Sequence, residues 1–149
     1  MTDQALASRW QRLGGALLDA VIFLAIELPV MFVFGAFDGI AEGRGVTLGQ
    51  TVGFFVFHLA VFAAINGWLL AKRGQTIGKK VAGTGIVDLD GNLRPFAVVF
   101  FVRYALIGAI ANIPVVGPLF PLVDTLFIFR KNRRCLHDLM AGTRVVRAQ

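Results

Sequence analysis

The sequence has little of what soluble enzymes normally carry. Among its 149 residues there is one cysteine, Cys135, and one serine, Ser8, and only 16% of residues are charged. A single cysteine excludes an internal disulfide and a site built from several thiolates. Cys135 has no candidate base beyond its neighbour His137, and a nucleophile needs a positioned base. We therefore expect no enzymatic activity.

Motifs for phosphate and metal binding are incomplete. The segment 74–80, GQTIGKK, has three residues between its glycines and no Ser or Thr after the lysine, whereas a phosphate loop requires four residues and that hydroxyl. Cys135, His137 and Asp138 lie within four residues, which offers too few well-spaced ligands for zinc. We expect neither a metal nor a cofactor.

Apolar residues dominate instead. They make up 56% of the chain, and phenylalanine alone occurs 14 times. This surplus is too large for a surface in water and is typical of an integral membrane protein. At this length the chain has room for one small bundle and for no separate catalytic domain, so we treat 1–149 as a single membrane domain.

Three long apolar runs predict an all-α bundle of about four transmembrane helices. Residues 13–37 and 52–71 are each long enough to cross a bilayer core of about 30 Å. The run from 96 to 129 would be about 51 Å long as one helix, so it must bend. Pro114 lies where a break is needed, which divides the run into 96–113 and 115–129. The last pair is either two crossings or a shallow re-entrant hairpin.

The positive charges set the predicted topology. Thirteen of the fifteen Lys and Arg residues lie in 9–12, in the loop 72–95 and in the tail 130–149, and these segments belong on the cytoplasmic side. Segments 38–51 and 114–118 carry one positive charge between them and belong outside. Both termini then face the cytoplasm. The net charge of +6 is explained by this topology and by anionic lipid, without nucleic acid.

The loop 72–95 has a different composition from the spans. Its glycines, β-branched residues and the turn signal Asp90-Gly91-Asn92 predict a short amphipathic or β-hairpin element at the cytoplasmic surface. The C-terminal segment 143–146 is β-branched as well and could add a strand to it.

Each span carries a polar residue at a similar depth. Asp19, Asn66, Arg103 and Asp124 lie about 7 to 10 Å from the cytoplasmic ends, and a charge in lipid needs a partner or a function. We predict one cluster with Arg103 between the two aspartates and Arg12 pointing towards Asp19. Such a cluster is either an ion-pair lock that fixes helix packing or a site that exchanges protons for a cation.

A second polar pair is predicted in the outer half of the bundle. Glu27 in the first span and His58 in the second lie at similar depths, close enough for a hydrogen bond between antiparallel neighbours. Because histidine titrates near neutrality, the two residues could form an outer proton relay. The alternative is that His58 only packs.

Three ordered segments of the chain resemble the signatures of the RDD family, small multi-pass membrane proteins named for an arginine and two aspartates. The first is Arg9-Trp10-Gln11-Arg12-Leu13 followed by Asp19. The second is 74–83, which begins with Gly74, Gln75, Thr76, Gly78 and Lys79. The third contains His137, Asp138, Gly142 and Thr143. The second named aspartate is either Asp124 or Asp138; we take Asp138 for the name and Asp124 for membrane chemistry.

The resemblance implies a protein of the bacterial plasma membrane, and some relatives are described as sodium/proton exchangers. The first hypothesis is therefore a secondary exchanger of a monovalent cation and a proton, in which Asp19 and Asp124 bind the ion or proton and Arg103 adjusts the pKa of their carboxylates. A homo-oligomer is expected. The alternative is a non-transporting membrane module whose basic cytoplasmic face docks a partner protein or anionic lipid.

Overall fold

The computed structural model describes residues 4–39 and 42–148, with the backbone alone at Pro118. Parts of three expectations lie outside the described residues: 1–3 of the domain, 40–41 of the segment 38–51, and 149 of the tail. The described chain is mostly helical. Its elements in order are α1 (Arg9–Val33), α2 (Leu48–Arg73), α3 (Ile77–Val81), β1 (Thr84–Asp88), α4 (Val98–Ala111), α5 (Val116–Leu126), α6 (Leu136–Met140) and β2 (Thr143–Arg147).

The two longest helices begin at capping boxes. Ser8 accepts from the Gln11 backbone N–H and Gln11 bonds back to Ser8, and Thr47 and Gln50 form the same pair at the start of α2. These reciprocal bonds satisfy backbone donors that have no partner inside the helix. α2 ends at Gly74, whose positive φ of 61° is a conformation that glycine adopts readily.

Helices α1 and α2 have the length and composition of membrane spans, and they are the two in the described chain that do. Their apolar side chains are mostly exposed, as at Leu17 (65%) and Phe32 (74%) in α1 and Leu48 (80%) in α2. A core helix of a soluble protein would bury these side chains. Something other than the rest of this chain must therefore cover them.

The third apolar run breaks where the proline predicts. α4 ends at Ala111, α5 begins at Val116, and Pro114 lies between them. α4 begins as a π-helical segment, Val98–Ala105, and α5 continues into one 3₁₀ turn, Phe127–Phe129. At 14 and 11 residues these helices are about 21 and 17 Å long, shorter than a bilayer core of about 30 Å. Two of the four expected spans thus reach full crossing length.

Of the two elements expected in the loop 72–95, an amphipathic segment or a β-hairpin, the local β-hairpin is not formed. Asp88 does organise a turn, since its Oδ1 accepts from the backbone N–H of Asp90 at 2.9 Å and of Asn92 at 2.8 Å. β1 nevertheless pairs with β2 in an antiparallel sheet, with Ile86 opposite Val145. The prediction that 143–146 adds a strand is confirmed. The hairpin was wrong because a turn signal fixes chain reversal, whereas burial of Ile86 and Val145 selects the strand partner.

The aromatic core sits where α1, α2 and α4 meet. The ring of Phe62 lies 5.7 Å from Phe23, 5.9 Å from Phe100 and 4.4 Å from Tyr104, measured between centroids. Each of these aromatic side chains buries a large apolar area. This stack fixes the three helices against one another and so positions the polar residues on their inner faces.

Helices α1 and α3 touch through glycines. A Cβ atom added at Gly78 would lie 2.0 Å from the carbonyl oxygen of Gly15. The two backbones therefore approach more closely than any side chain allows. This contact places the 74–80 segment directly beside Asp19.

Candidate functional site

The centre of the site is the carboxylate of Asp138, which is fully buried. Its Oδ2 accepts from Arg12 Nη2 at 2.5 Å and from the Cys135 backbone N–H at 3.1 Å. Its Oδ1 accepts from Arg103 and from the Thr143 hydroxyl. Two guanidinium groups and two neutral donors thus satisfy one carboxylate, which is the condition for keeping a charge in the interior.

Charge partners determine the ionisation of this carboxylate. Burial alone raises the pKa of Asp138, but the charges of Arg103, His137 and Arg12 outweigh burial and hold the pKa well below its usual range. Asp138 is therefore ionised at any physiological pH and does not exchange protons.

The predicted pairing of arginines and aspartates in the cluster is wrong. Arg103 was expected between Asp19 and Asp124, and Arg12 was expected at Asp19, but both arginines bind Asp138. The reason is that α6 packs back against α4 and carries Asp138 inward. Counting depth along each apolar run cannot reveal this, because Asp138 belongs to the tail.

Asp19 and Asn66 hold the start of α3 instead. Asp19 accepts from the Thr76 hydroxyl at 2.5 Å and from the Gly78 backbone N–H at 2.7 Å, while Asn66 Oδ1 accepts from the Ile77 backbone N–H at 2.8 Å. The nearest cation to Asp19 is Lys79 Nζ, at 4.0 Å. Residues of α1 and α2 thus bind the free donors of one helix terminus.

Asp124 pairs with His137, a contact that the sequence did not predict. Asp124 accepts from His137 Nδ1 at 2.6 Å and from the His137 backbone N–H at 2.9 Å. Burial lowers the pKa of His137, and nearby Arg103 lowers it further, so that the pKa lies below its ordinary value despite the two aspartates. The signal in the sequence was His137 itself, which belongs to the third signature.

Cys135 lies beside this pair as a buried thiol. Burial raises its pKa to about 11, against the opposing charge of Arg12. Arg12 Nη2 lies 3.4 Å from the sulfur. In the absence of a bound cation the thiol is therefore protonated at neutral pH.

The outer pair is formed as predicted. His58 Nδ1 lies 2.7 Å from Glu27 Oε1, joining α2 to α1. The His58 ring also packs on Phe23, with centroids 5.2 Å apart. The hydrogen bond is therefore confirmed, and the proton relay built on it stays a prediction.

Two cavities adjoin these side chains. The first, here called the Cys135 cavity, has a volume of about 130 Å³ and is lined by Arg12, Asp124 and Cys135. The second, the His58 cavity, has a volume of about 300 Å³ and is lined by Asp19, His58 and Tyr104. Four residues belong to the walls of both: Ala16, Lys79, Arg103 and His137. Each cavity exceeds the roughly 15 Å³ that one water molecule needs.

Several arginines of the start of α1, the loop and the tail bind backbone carbonyls. Arg9 donates to Ile128 and Phe129, Arg94 to Ala141, Arg133 to Ala7, and Arg134 to Thr143 and Asp138. Carbonyls at helix and strand ends have no partner within their own element, and a guanidinium group satisfies them well. These charges thus tie the two termini and the loop together.

The remaining signature residues have structural roles. Gln75 Nε2 donates to the Thr84 carbonyl at 2.8 Å, and the Thr76 hydroxyl caps α3 by accepting from the Lys79 backbone N–H at 3.3 Å. Gly142 adopts a φ of 62° in the turn before Thr143. The three signatures therefore meet: the first and third at Asp138, the first and second at Asp19.

Two long apolar helices, and three signatures that meet at Asp138 and Asp19, describe a mostly helical protein with two candidate membrane spans. The sequence model of the RDD family matches residues 6–142, so the chain belongs to the RDD family, which is generally membrane-associated. It is also similar to "Uncharacterized protein YckC" of Bacillus subtilis (strain 168), with 31% identity over 143 residues, covering 95% of this chain and 85% of that protein. None of the solved structures matches the chain.

Proposed function

We propose that this RDD protein is an integral protein of the bacterial plasma membrane that exchanges a monovalent cation, sodium by preference, for a proton. α1 and α2 would cross the bilayer, with both termini and the loop 72–95 on the cytoplasmic side. The exposed apolar side chains of these helices support the placement, because apolar side chains are stable in contact with lipid and not with water. α4 and α5 would form a re-entrant hairpin, since their lengths fall short of the bilayer core.

The observation that carries the exchange proposal is the pair of cavities that share a wall. They extend from His58 on one side to Asp124 and Cys135 on the other. Asp19 lines the His58 cavity, and Asp124 lines the Cys135 cavity. An acidic side chain at membrane depth beside a water-sized cavity is the arrangement expected for an ion or proton pathway.

The distribution of arginines supports the same assignment. Asp138 binds both Arg12 and Arg103, which leaves Asp19 and Asp124 without an arginine partner among their hydrogen bonds. A carboxylate that is not neutralised by an arginine can exchange a proton for a cation. In this account Arg103 fixes Asp138 and borders the pathway, and Asp19 and Asp124 are the binding groups.

The two histidines would carry protons along this pathway. His58, in the wall of the His58 cavity, is bonded to Glu27, and His137, in the wall common to both cavities, is bonded to Asp124. Each pair places an imidazole next to a carboxylate, the combination that proton relays use. We expect a homo-oligomer, since a chain with two full-length spans encloses little of its pathway alone.

The alternative, a non-transporting module that docks through its basic face, has less support. It depends on the charges of 72–94 and 130–147, but Arg94, Arg133 and Arg134 already donate to backbone carbonyls of this chain. If the alternative is correct, Asp19→Asn and Asp124→Asn lower stability or assembly, and the wild type itself shows no sodium-driven proton movement.

The test is sodium-driven proton movement in proteoliposomes, followed with a pH-sensitive dye. Asp19→Asn and Asp124→Asn should each abolish the signal while the protein still inserts. Asp90→Asn, which changes an exposed loop aspartate, is the matched control and should retain full activity. Unchanged proton movement in both variants contradicts the proposal.

A further inference from the structure

Three potential metal ligands come together in the wall of the Cys135 cavity. One donor atom each from Asp124, Cys135 and His137 lies within 4.8 Å of the other two. Cys135 and His137 belong to the start of α6, and α5 supplies Asp124. From the sequence, Asp138 was the third candidate ligand, but its carboxylate binds Arg12 and Arg103. In the fold the third ligand is Asp124, eleven positions before Cys135.

The chemistry of the three donors selects a particular class of ion. A carboxylate oxygen, a sulfur and an imidazole nitrogen are the ligands that zinc uses in proteins. Sodium and magnesium favour oxygen ligands alone, so a sulfur and a nitrogen give them no advantage. Tetrahedral zinc with bonds of about 2.0 to 2.3 Å holds its ligands roughly 3.4 Å apart. Small side-chain rotations would bring the three donors to that spacing.

The surroundings complete such a site. Three protein ligands leave one coordination position, and the cavity of about 130 Å³ supplies space for a water molecule there. His137 Nε2 lies 3.8 Å from Asp138 Oδ2. When a metal binds Nδ1, the ring proton resides on Nε2 and faces this carboxylate, an arrangement that orients metal-binding histidines.

The local charges are balanced for a divalent ion. Arg12 lies 3.4 Å from the Cys135 sulfur, where it can donate a hydrogen bond to a thiolate, and its own charge is offset by Asp138 at 2.5 Å. Lys79 and Arg103 are the other cations of the cavity wall. Asp138 binds Arg103, and Asp19 lies 4.0 Å from Lys79. The charges of Asp124 and a Cys135 thiolate therefore remain to neutralise a metal dication.

We propose that Asp124, Cys135 and His137 form a binding site for a divalent transition-metal ion of the zinc type, with water as the fourth ligand. Binding replaces the hydrogen bond between His137 and Asp124 with two metal bonds. The Cys135 thiol loses its proton to water in the cavity, and the imidazole stays neutral. The site shares Asp124 and His137 with the proposed exchange pathway, but its test does not rest on transport, because metal binding can be measured without anything crossing the membrane.

The test uses the full-length, tag-free protein in detergent and titrates it with cobalt chloride as a spectroscopic substitute for zinc. A sulfur-to-cobalt charge-transfer band at one ion per chain is expected, and zinc chloride should abolish it. Because Cys135 is the one cysteine of the sequence, the band in the wild type reports this residue even if a variant fails to fold. Absence of the band overturns the proposal.

Variants then identify the other two ligands. Cys135→Ser should lose the band, and Asp124→Asn and His137→Gln should each weaken cobalt binding at least about tenfold. His58→Gln is the matched control, since it removes the other histidine, which lies in the wall of the His58 cavity. It should bind cobalt like the wild type. If Asp124→Asn and His137→Gln bind cobalt as tightly as the wild type, the three-ligand site is wrong.

Discussion

Arg12 Nη2 lies 2.5 Å from Asp138 Oδ2, a contact between residues 126 positions apart. Arg103 binds the other oxygen of the same carboxylate, so that α1, α4 and α6 meet at one buried charge. The first and third signatures of the family are thereby in direct contact. Arg12 of the first and Asp138 of the third neutralise each other's buried charge.

Loss of the Asp138 charge should therefore be severe. Asp138→Asn leaves two buried guanidinium groups without their counterion, and removing one member of a buried ion pair costs about 3 to 5 kcal/mol. Thermal unfolding in detergent should show a large fall in the midpoint. Asp90→Asn is the control and should unfold like the wild type, and equal midpoints for the two variants would refute this role of Asp138.

The contact between α1 and α3 leads to a second prediction. In Gly78→Ala the new methyl group would lie 2.0 Å from the Gly15 carbonyl oxygen, so α3 must move away from α1 and from Asp19. We expect lower thermal stability and the loss of transport. Gly14→Ala changes a neighbouring glycine whose Cβ position is open, and it should be neutral or slightly stabilising. Similar behaviour of the two variants would argue against the close contact.

The pKa of His137 predicts how stability depends on pH. Because this pKa is lower in the folded protein than its ordinary value of about 6.5, the unfolded chain takes up the proton more readily. The contribution of His137 is thus fully present above about pH 6.5 and is lost as the pH falls through the folded pKa. Midpoints measured from pH 8 to pH 5 should fall more steeply in the wild type than in His137→Gln. Parallel curves would show that His137 is not the group responsible.

Much of the backbone could be predicted from the sequence. The lengths of the apolar runs gave α1 and α2, Pro114 gave the break between α4 and α5, and the β-branched tail gave β2. The Glu27–His58 contact also followed, because both residues belong to long regular helices in which depth can be counted. Predictions of this kind rest on local geometry.

The site could be predicted only in part. The ionisable residues were identified, but their pairing was not, because α6 folds back and inserts Asp138 and His137 among residues of the spans. Partner choice between several charges depends on this tertiary contact, and no periodicity in the tail encodes it. The incorrect hairpin at Asp90 has the same origin, since the partner of β1 is 55 or more residues away.

The most direct test of the exchange pathway blocks the cavities without removing a charge. Ala16 lines both cavities, so Ala16→Phe fills the space between Asp19 and Asp124 while leaving every ionisable residue in place. Val21→Phe enlarges an exposed apolar residue of the same helix and is the control. In proteoliposomes, Ala16→Phe should lose sodium-driven proton movement and Val21→Phe should keep it. Full activity of an inserted, folded Ala16→Phe protein would contradict the pathway.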